Sequence, residues 1–229
     1  MRITFLVPHL TVSGGVRIIC EYARRLSERN HRVNLICRER RYPLLRNFIQ
    51  RFVNTVGWVN LKGVNLRFVR RWEEKYIPEG DVIFATAWQT ARLLNNCSQS
   101  KGRKFHLIQH LPVDGVIDDT ADVKETIRFP LTKVVTSKWL HQRLTDEFGQ
   151  RGHYIPNGVN HSQFFPVNKT YGTKRIGMLH HTAKLKGFSE GLKAFELVKK
   201  SFPDVKLVLF GVRHRKPDEV TSSDVEYHH

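Results

Sequence analysis

The chain has 229 residues, with 38 Lys+Arg against 21 Asp+Glu and a formal net charge of +17. Its 40% hydrophobic and 26% charged content suits a chain that buries a core, which excludes a disordered or low-complexity segment. No apolar run approaches the roughly 18–20 residues of a spanning helix, and the stretch 3–7 is cut by Pro8 and His9, too short for a secretory signal.

At roughly 150 residues per domain, the length allows one large domain and part of another. Residues 2–8 form a short β-branched run that reads as a buried strand, followed by Ser13-Gly14-Gly15 as a tight turn. Val16, Ile19, Cys20, Ala23 and Leu26 then fall at helical spacing, with Asn30 as a stop. Residues 33–37 read as a second strand, so the chain opens with a βαβ unit and a parallel sheet. Further strands are expected at 66–69, 81–85, 104–109 and 133–136. A helix then follows Ser137, a good N-cap, with Leu140, Leu144 and Phe148 inward and Gly149 as terminator. Tyr154-Ile155 is a short strand that ends at the turn Pro156-Asn157-Gly158. Residues 160–172 read as a linker, after which the rhythm restarts with a strand at 174–179, a helix at 187–201 and a strand at 205–210. After Val212 the chain is polar and shows no periodicity. The expected fold class is α/β: a Rossmann-like parallel-sheet domain over 1–165 and the start of a second one over 166–229. Cys20, Cys37 and Cys97 form neither a CxxC pair nor a disulfide ladder, the pattern of reduced thiols in a cytoplasm.

The positive charge points towards polyanions. It is densest between Arg38 and Arg71, around a segment, 42–56, that carries Leu44, Leu45, Phe48, Ile49, Phe52, Val53 and Val56 at helical spacing. Two readings stand. The apolar stripe docks on the sheet and leaves a basic face in water, or the helix lies on an anionic membrane surface. Nucleic acid is disfavoured, since neither zinc-finger spacing nor an RNA-binding aromatic signature is present.

Candidate site residues gather where strands end and helices begin. Gly14 and Gly15 sit at the carboxyl end of the first strand, where ligands bind in open α/β sheets. They let backbone N–H groups approach an anion, or they serve only as a tight βα turn. Their spacing is neither GxGxxG nor a P-loop. His110 ends the 104–109 strand, where an imidazole can bind a sugar hydroxyl or accept a proton. His180-His181, Lys184 and Lys186 precede a helix opened by Gly187, a cationic cluster suited to a diphosphate. Neighbouring histidines on an extended chain point apart, so no metal site is expected there. Asp114, Asp118, Asp119 and Asp122 lack a D-x-D spacing and read as a solvated loop.

In order, Ser13-Gly14-Gly15-Val16-Arg17, Thr136-Ser137, Pro156-Asn157-Gly158-Val159 and the Lys186-Gly187 helix start, with Gly191-Leu192 and the run 205–211, resemble the retaining glycosyltransferases of family GT4, of GT-B fold. The resemblance runs from residue 2 to about 226. It implies an acceptor-binding and a donor-binding Rossmann-like domain that face a cleft. Gly14 and Gly15 would approach the donor phosphate or the acceptor, and His110 would act as the catalytic-site histidine that contacts the transferred sugar or acceptor. Asn157 and Gly158 would line the cleft, and Lys186 would neutralise the donor diphosphate. His181 stands where the family often has an arginine.

The implied function is transfer of a sugar from a nucleoside-diphosphate sugar to a glycan or lipid-linked acceptor, with retention, in polysaccharide biosynthesis. The nucleotide sugar is a substrate, and neither a cofactor nor a metal is expected. The family's E-x7-E motif is absent from the chain, so the expectation is that the chain by itself does not transfer sugar. The expected location is cytoplasmic, peripheral on the inner membrane face. The alternative is a non-catalytic acceptor- or membrane-binding half that works with a separately encoded C-terminal half. A Rossmann oxidoreductase using Glu39 on a ribose is a third reading, disfavoured by the missing GxGxxG.

Overall fold

The computed structural model describes residues 1–39, 41–50, 55–56, 58–112, 120–166, 174–211 and 224–228. The chain divides into two compact units, Met1–Gly158 and Val159–His229. Among the described residues, no helix is long and apolar enough to cross a membrane.

The first unit opens with β1 (Arg2–Val7), whose last five residues are all buried. A parallel strand covered on both faces requires such a continuous apolar run. In α1 (Gly14–Glu28), Ser13 is the N-cap, and its Oγ accepts from the Val16 N–H at 3.3 Å. Gly14 and Gly15 are therefore the first helical residues. Val16, Ile19, Cys20 and Ala23 face inward. Asn30 takes φ 63°, a left-handed conformation that asparagine tolerates better than most residues, and turns the chain into β2 (Arg32–Arg38).

Next come α2 (Pro43–Gln50), the hairpin strands β3 (Thr55–Val56) and β4 (Val59–Asn60), and β5 (Asn65–Val69). The remainder alternates strictly: β6 (Val82–Ala85), α3 (Trp88–Asn96), β7 (Arg103–Ile108), α4 (Ala121–Arg128), β8 (Thr132–Val135), α5 (Lys138–Phe148) and β9 (Gly152–Tyr154). The caps expected of α5 are formed: Ser137 Oγ accepts from the Leu140 N–H at 3.1 Å, and Gly149 adopts φ 61°.

The large sheet is parallel, in the order β5-β2-β1-β6-β7-β8-β9. This is the doubly wound, Rossmann-like arrangement, with its order reversing between β1 and β6. Val16, Ile19 and Ala23 of α1 pack on the face formed by Ile3, Phe5, Val7, Val33 and Leu35. On the other face Leu6, Ile36, Ile83 and Ala85 meet Ala91 and Leu94 of α3. Further along, Ile108 and Val135 meet Ile127 of α4 and Leu140 and Leu144 of α5. Phe5, Phe84 and Phe105 share one register row across β1, β6 and β7 and stack at 5.0 Å between successive ring centroids. Each such pair adds about 0.5–1.5 kcal/mol beyond its buried area.

Four sequence expectations need correction. The 42–56 segment is not one helix: α2 ends at Gln50, and Thr55–Val56 pair with Val59–Asn60 as an antiparallel hairpin. Residues 51–54, with Arg51, Phe52 and Val53, lie outside the described residues. Nor do Leu44, Leu45 and Phe48 of the expected stripe dock on the sheet. Leu44, Leu45 and Phe48 are exposed, and it is Asn47 that faces the edge strand. The Asn47 Nδ2 donates to the Phe68 carbonyl at 2.8 Å, and its Oδ1 accepts from the Phe68 N–H at 2.6 Å. One amide thus pairs both backbone groups of Phe68 at the open edge of the sheet. Helices α3 and α4 were not anticipated, and Asp122 belongs to the first turn of α4, where it meets Arg92 at 3.1 Å rather than lying in a loop. Asp114, Asp118 and Asp119 lie outside the described residues.

The fourth correction concerns the second unit, which consists of β10 (Arg175–Leu179), α6 (Phe188–Ser201), β11 (Lys206–Phe210) and β12 (Val225–His228). They form a parallel sheet in the order β10-β11-β12, so this unit holds a third strand beyond the polar stretch. Phe195, Val205, Leu207 and Leu209 make its core. Gly191 allows α6 to approach β10, since a Cβ there would fall 2.2 Å from Met178 Sδ.

Burial pushes the Cys20 and Cys37 thiols up to about 12 and raises that of Cys97. A thiol reagent such as Ellman's is therefore expected to leave the native chain unlabelled over minutes and to label all three cysteines in guanidinium. Rapid native labelling of Cys20 or Cys37 would contradict this packing.

Candidate functional site

The carboxyl ends of β1, β6 and β7 open into a cavity of about 400 Å³ at the point where strand order reverses. Pro8 and His9 come from the end of β1, Ser13 and Gly15 from the start of α1, Thr86 to Trp88 from the turn into α3, and His106 to His110 from β7 and its end. Strands that run to opposite sides of the reversal carry their loops apart, and this separation makes the crevice. Thr86 ties the two walls together: its Oγ1 donates to the Leu6 carbonyl at 2.7 Å. The Thr90 hydroxyl accepts from the N–H groups of Thr86 and Ala87, both at 3.0 Å, which fixes the entry to α3.

Gly15 and His110 meet in this one cavity. The Gly15 carbonyl accepts from Gln109 Nε2 at 3.1 Å, and a Cβ at Gly15 would lie 3.3 Å from that amide. Part of the reason for a glycine here is therefore close packing of the first turn of α1 against the end of β7. Gly14 has nothing within 4 Å of where a Cβ would sit. Asn157 and Gly158 follow β9, are exposed, and are absent from the cavity lining.

His106 was missed at the sequence level. It belongs to the same face of β7 as Ile108, is 5% exposed, and lines the cavity beside Val123, Thr126 and Ile127 of α4. Its Nδ1 is buried with no hydrogen-bond partner. Burial, followed by the positive fields of Lys133 and His110, pushes its pKa down to about 3. The imidazole is therefore neutral at physiological pH, a hydrogen-bonding group and not a cation. Lys133, its register neighbour on β8, is also buried, and its Nζ donates to the Phe129 carbonyl and, at 2.9 Å, to Gln150 Oε1. Glu39, the candidate ribose acid, is instead ion-paired to Arg46 at 3.3 Å and accepts from the Arg41 N–H at 3.2 Å.

In the second unit the two histidines after β10 diverge. His180 is buried, with Nδ1 3.1 Å from Tyr227 Oη and its ring against Phe188. A Cβ at Gly211 would come 2.7 Å from the His180 carbonyl, so this pair is structural packing. His181 is exposed, and its Nδ1 accepts from the Ala183 N–H at 2.9 Å. Lys184 and Lys186 lie on a single 3-10 turn, and Gly187, at φ 65°, redirects the chain into α6. The unpaired N–H groups and positive dipole end of α6 thus follow directly on an exposed lysine pair.

No family model matches the chain, and no curated protein matches its sequence. Among solved structures, the chain is similar to the glycotransferase of kitacinnamycin, with a TM-score of 0.59 and 14% sequence identity over 99% of this chain and 70% of that one. At that identity the likeness shows the fold alone: an α/β, Rossmann-like architecture.

The depressed pKa of His106 has a consequence for stability. Between its ordinary 6.5 and about 3, the unfolded chain binds a proton at this site that the folded chain does not. Its contribution is therefore complete above pH 6.5 and declines as pH falls, by up to about 1.4 kcal/mol per pH unit. His106→Asn is expected to flatten the acid limb of the stability–pH curve measured by urea denaturation. An unchanged slope between pH 6.5 and 4.5 would contradict the assignment.

Proposed function

We propose that the chain is that of a glycosyltransferase that takes a nucleoside-diphosphate sugar as donor and a glycan or lipid-linked molecule as acceptor, with retention as in family GT4, and that by itself it binds these substrates without transferring the sugar. The observation that carries this reading is the roughly 400 Å³ crevice at the reversal of strand order, which joins Gly15 at a helix N-terminus to His110 at a strand end. The likeness in fold to a glycotransferase supports it. Further support comes from the exposed Lys186 and His181 that precede the N-terminus of α6.

In this reaction the bond between the sugar's anomeric carbon and the diphosphate oxygen breaks, and a bond to the acceptor oxygen forms on the same side. The acceptor's proton passes to the departing diphosphate oxygen. Negative charge grows on the diphosphate in the transition state, so fixed cations and helix N–H groups lower the barrier without moving. Lys186 supplies a full charge, and α6 supplies oriented donors. His110 bonds a hydroxyl of the sugar or acceptor, and Gly15 leaves room for backbone approach at the start of α1. The neutral His106 adds a second imidazole to the same crevice wall.

Calorimetric titration with UDP-, GDP- and ADP-sugars tests the donor assignment. One of them is expected to bind, and Lys186→Ala to weaken it about tenfold, equal to about 1.4 kcal/mol. His110→Ala is expected to leave the free nucleoside diphosphate within about twofold, since His110 meets a hydroxyl of the sugar or acceptor and not the phosphates. Failure of every nucleotide sugar to bind, or an unchanged affinity in Lys186→Ala, would overturn this reading.

A further inference from the structure

The α2 segment is built the wrong way round for a helix that packs on a sheet. A polar residue, Asn47, grips the edge strand, and Leu44, Leu45 and Phe48 are left exposed. Tyr42, Leu44, Leu45 and Phe48 are 58%, 83%, 56% and 58% exposed, four large apolar groups within seven residues. Isolated apolar residues on a surface are ordinary, but a cluster of this size on one short helix marks a contact surface.

The charge around this ridge is one-sided. Beside α2, the carboxyl ends of β2 and β5 bring Arg38, Arg70 and Arg71 around a recess of about 470 Å³ that Trp72 walls on one side. Among the described residues, none of these three guanidinium groups has an ion-pair or hydrogen-bond partner, whereas Arg46 nearby is neutralised by Glu39. The Trp72 Nε1–H is buried and likewise without a partner. Gathering three uncompensated guanidinium groups at one recess is unfavourable unless an anion joins them, and the planar fork of arginine suits the oxygens of a phosphate.

We propose that α2 and this arginine recess together dock the chain on an anionic phospholipid surface, with the apolar ridge entering the headgroup–acyl boundary and the arginines holding lipid phosphates. The combination selects the partner. A soluble phosphate would satisfy the arginines but leave the ridge in water. A second copy of the chain would cover the ridge, but an isologous contact would press the two arginine recesses towards each other, in a chain that already carries +17. A bilayer with acidic headgroups meets both requirements at once. Docking is independent of the reaction proposed above and holds whether or not the chain binds a nucleotide sugar.

The test is co-sedimentation of the whole chain with vesicles at about 0.1 M salt. One set is pure phosphatidylcholine, and the other contains about one-third phosphatidylglycerol. The chain is expected to pellet with the anionic set and at least about tenfold less with the neutral set. Leu44→Ser/Leu45→Ser/Phe48→Ser is expected to cut anionic partition by at least about tenfold, with circular dichroism unchanged because these side chains are exposed. Arg70→Gln/Arg71→Gln is expected to remove most of the preference for anionic lipid. Arg29→Gln/Lys62→Gln, an equal charge loss at the amino-terminal edge of the strands, leaves partition within about twofold. Absence of partition overturns the proposal. So does an equal effect of the two charge variants, which would reduce binding to net charge alone. A chain that ignores vesicles but dimerises in sedimentation velocity, and loses the dimer in the serine variant, assigns the ridge to a second copy instead.

Discussion

The hydrogen bond from Thr86 Oγ1 to the Leu6 carbonyl joins β1 to β6 at the place in the large sheet where strand order reverses. Around it the Phe5–Phe84–Phe105 stack fixes the same three strands one layer below the carboxyl edge. Right-handed crossovers then dictate the rest. The chain from β1 must run one way to β2 and β5, and the chain from β6 the other way to β9. The loops at the reversal cannot close over each other, so a crevice is left that receives the first turn of α1, the entry to α3 and the end of β7. Gly15, Gln109 and His110 share a cavity because of topology, although 94 positions separate Gly15 from Gln109.

How legible each part was in the sequence follows from what kind of force specifies it. Strands β1 and β2 are buried along most of their length and are nearly continuous apolar runs, and β7 and β8 keep short apolar runs beside His106 and Lys133, so composition reveals them. The ends of α1 and α5 are written in residues with a steric or capping reason, Ser13, Asn30, Ser137 and Gly149. The orientation of α2 was not legible. Periodicity says which residues share a face but not which face is covered, and the deciding contact is a side-chain amide on a strand edge 21 positions away. β12 was invisible for a related reason: only four residues long, it carries Glu226 and His228, and it pairs with β11 through its backbone. At the site, Gly15 and His110 were found from their places at element ends. His106 looked like any of twelve histidines until the strand alternation of β7 turned it inward.

The large positive charge also resolves into parts with different physics. Some arginines are absorbed by local pairs: Arg24 between Glu21 and Glu28, Arg92 between Asp122 and Glu125, Arg143 against Glu147. Surface pairs of this kind add little stability, but they cancel charge. Two clusters have no ion pair among the described residues. Lys184 and Lys186 stand before α6, and Arg38, Arg70 and Arg71 ring a recess at the carboxyl edge of β2 and β5. Each lies where the fold also supplies a second recognition element, helix N–H groups in one case and an exposed apolar ridge in the other. Net charge thus speaks for phosphate-bearing partners only where backbone or apolar surface stands beside it.

The central claim is that the crevice between β1, β6 and β7 is where the first unit takes its ligand. The most direct measurement is a crystal of the chain soaked with a set of monosaccharides and nucleoside diphosphates. The account predicts ligand density within hydrogen-bonding distance of His110 or His106 and against Gly15. Ligand density confined to other surfaces, with this crevice holding only solvent, would contradict it.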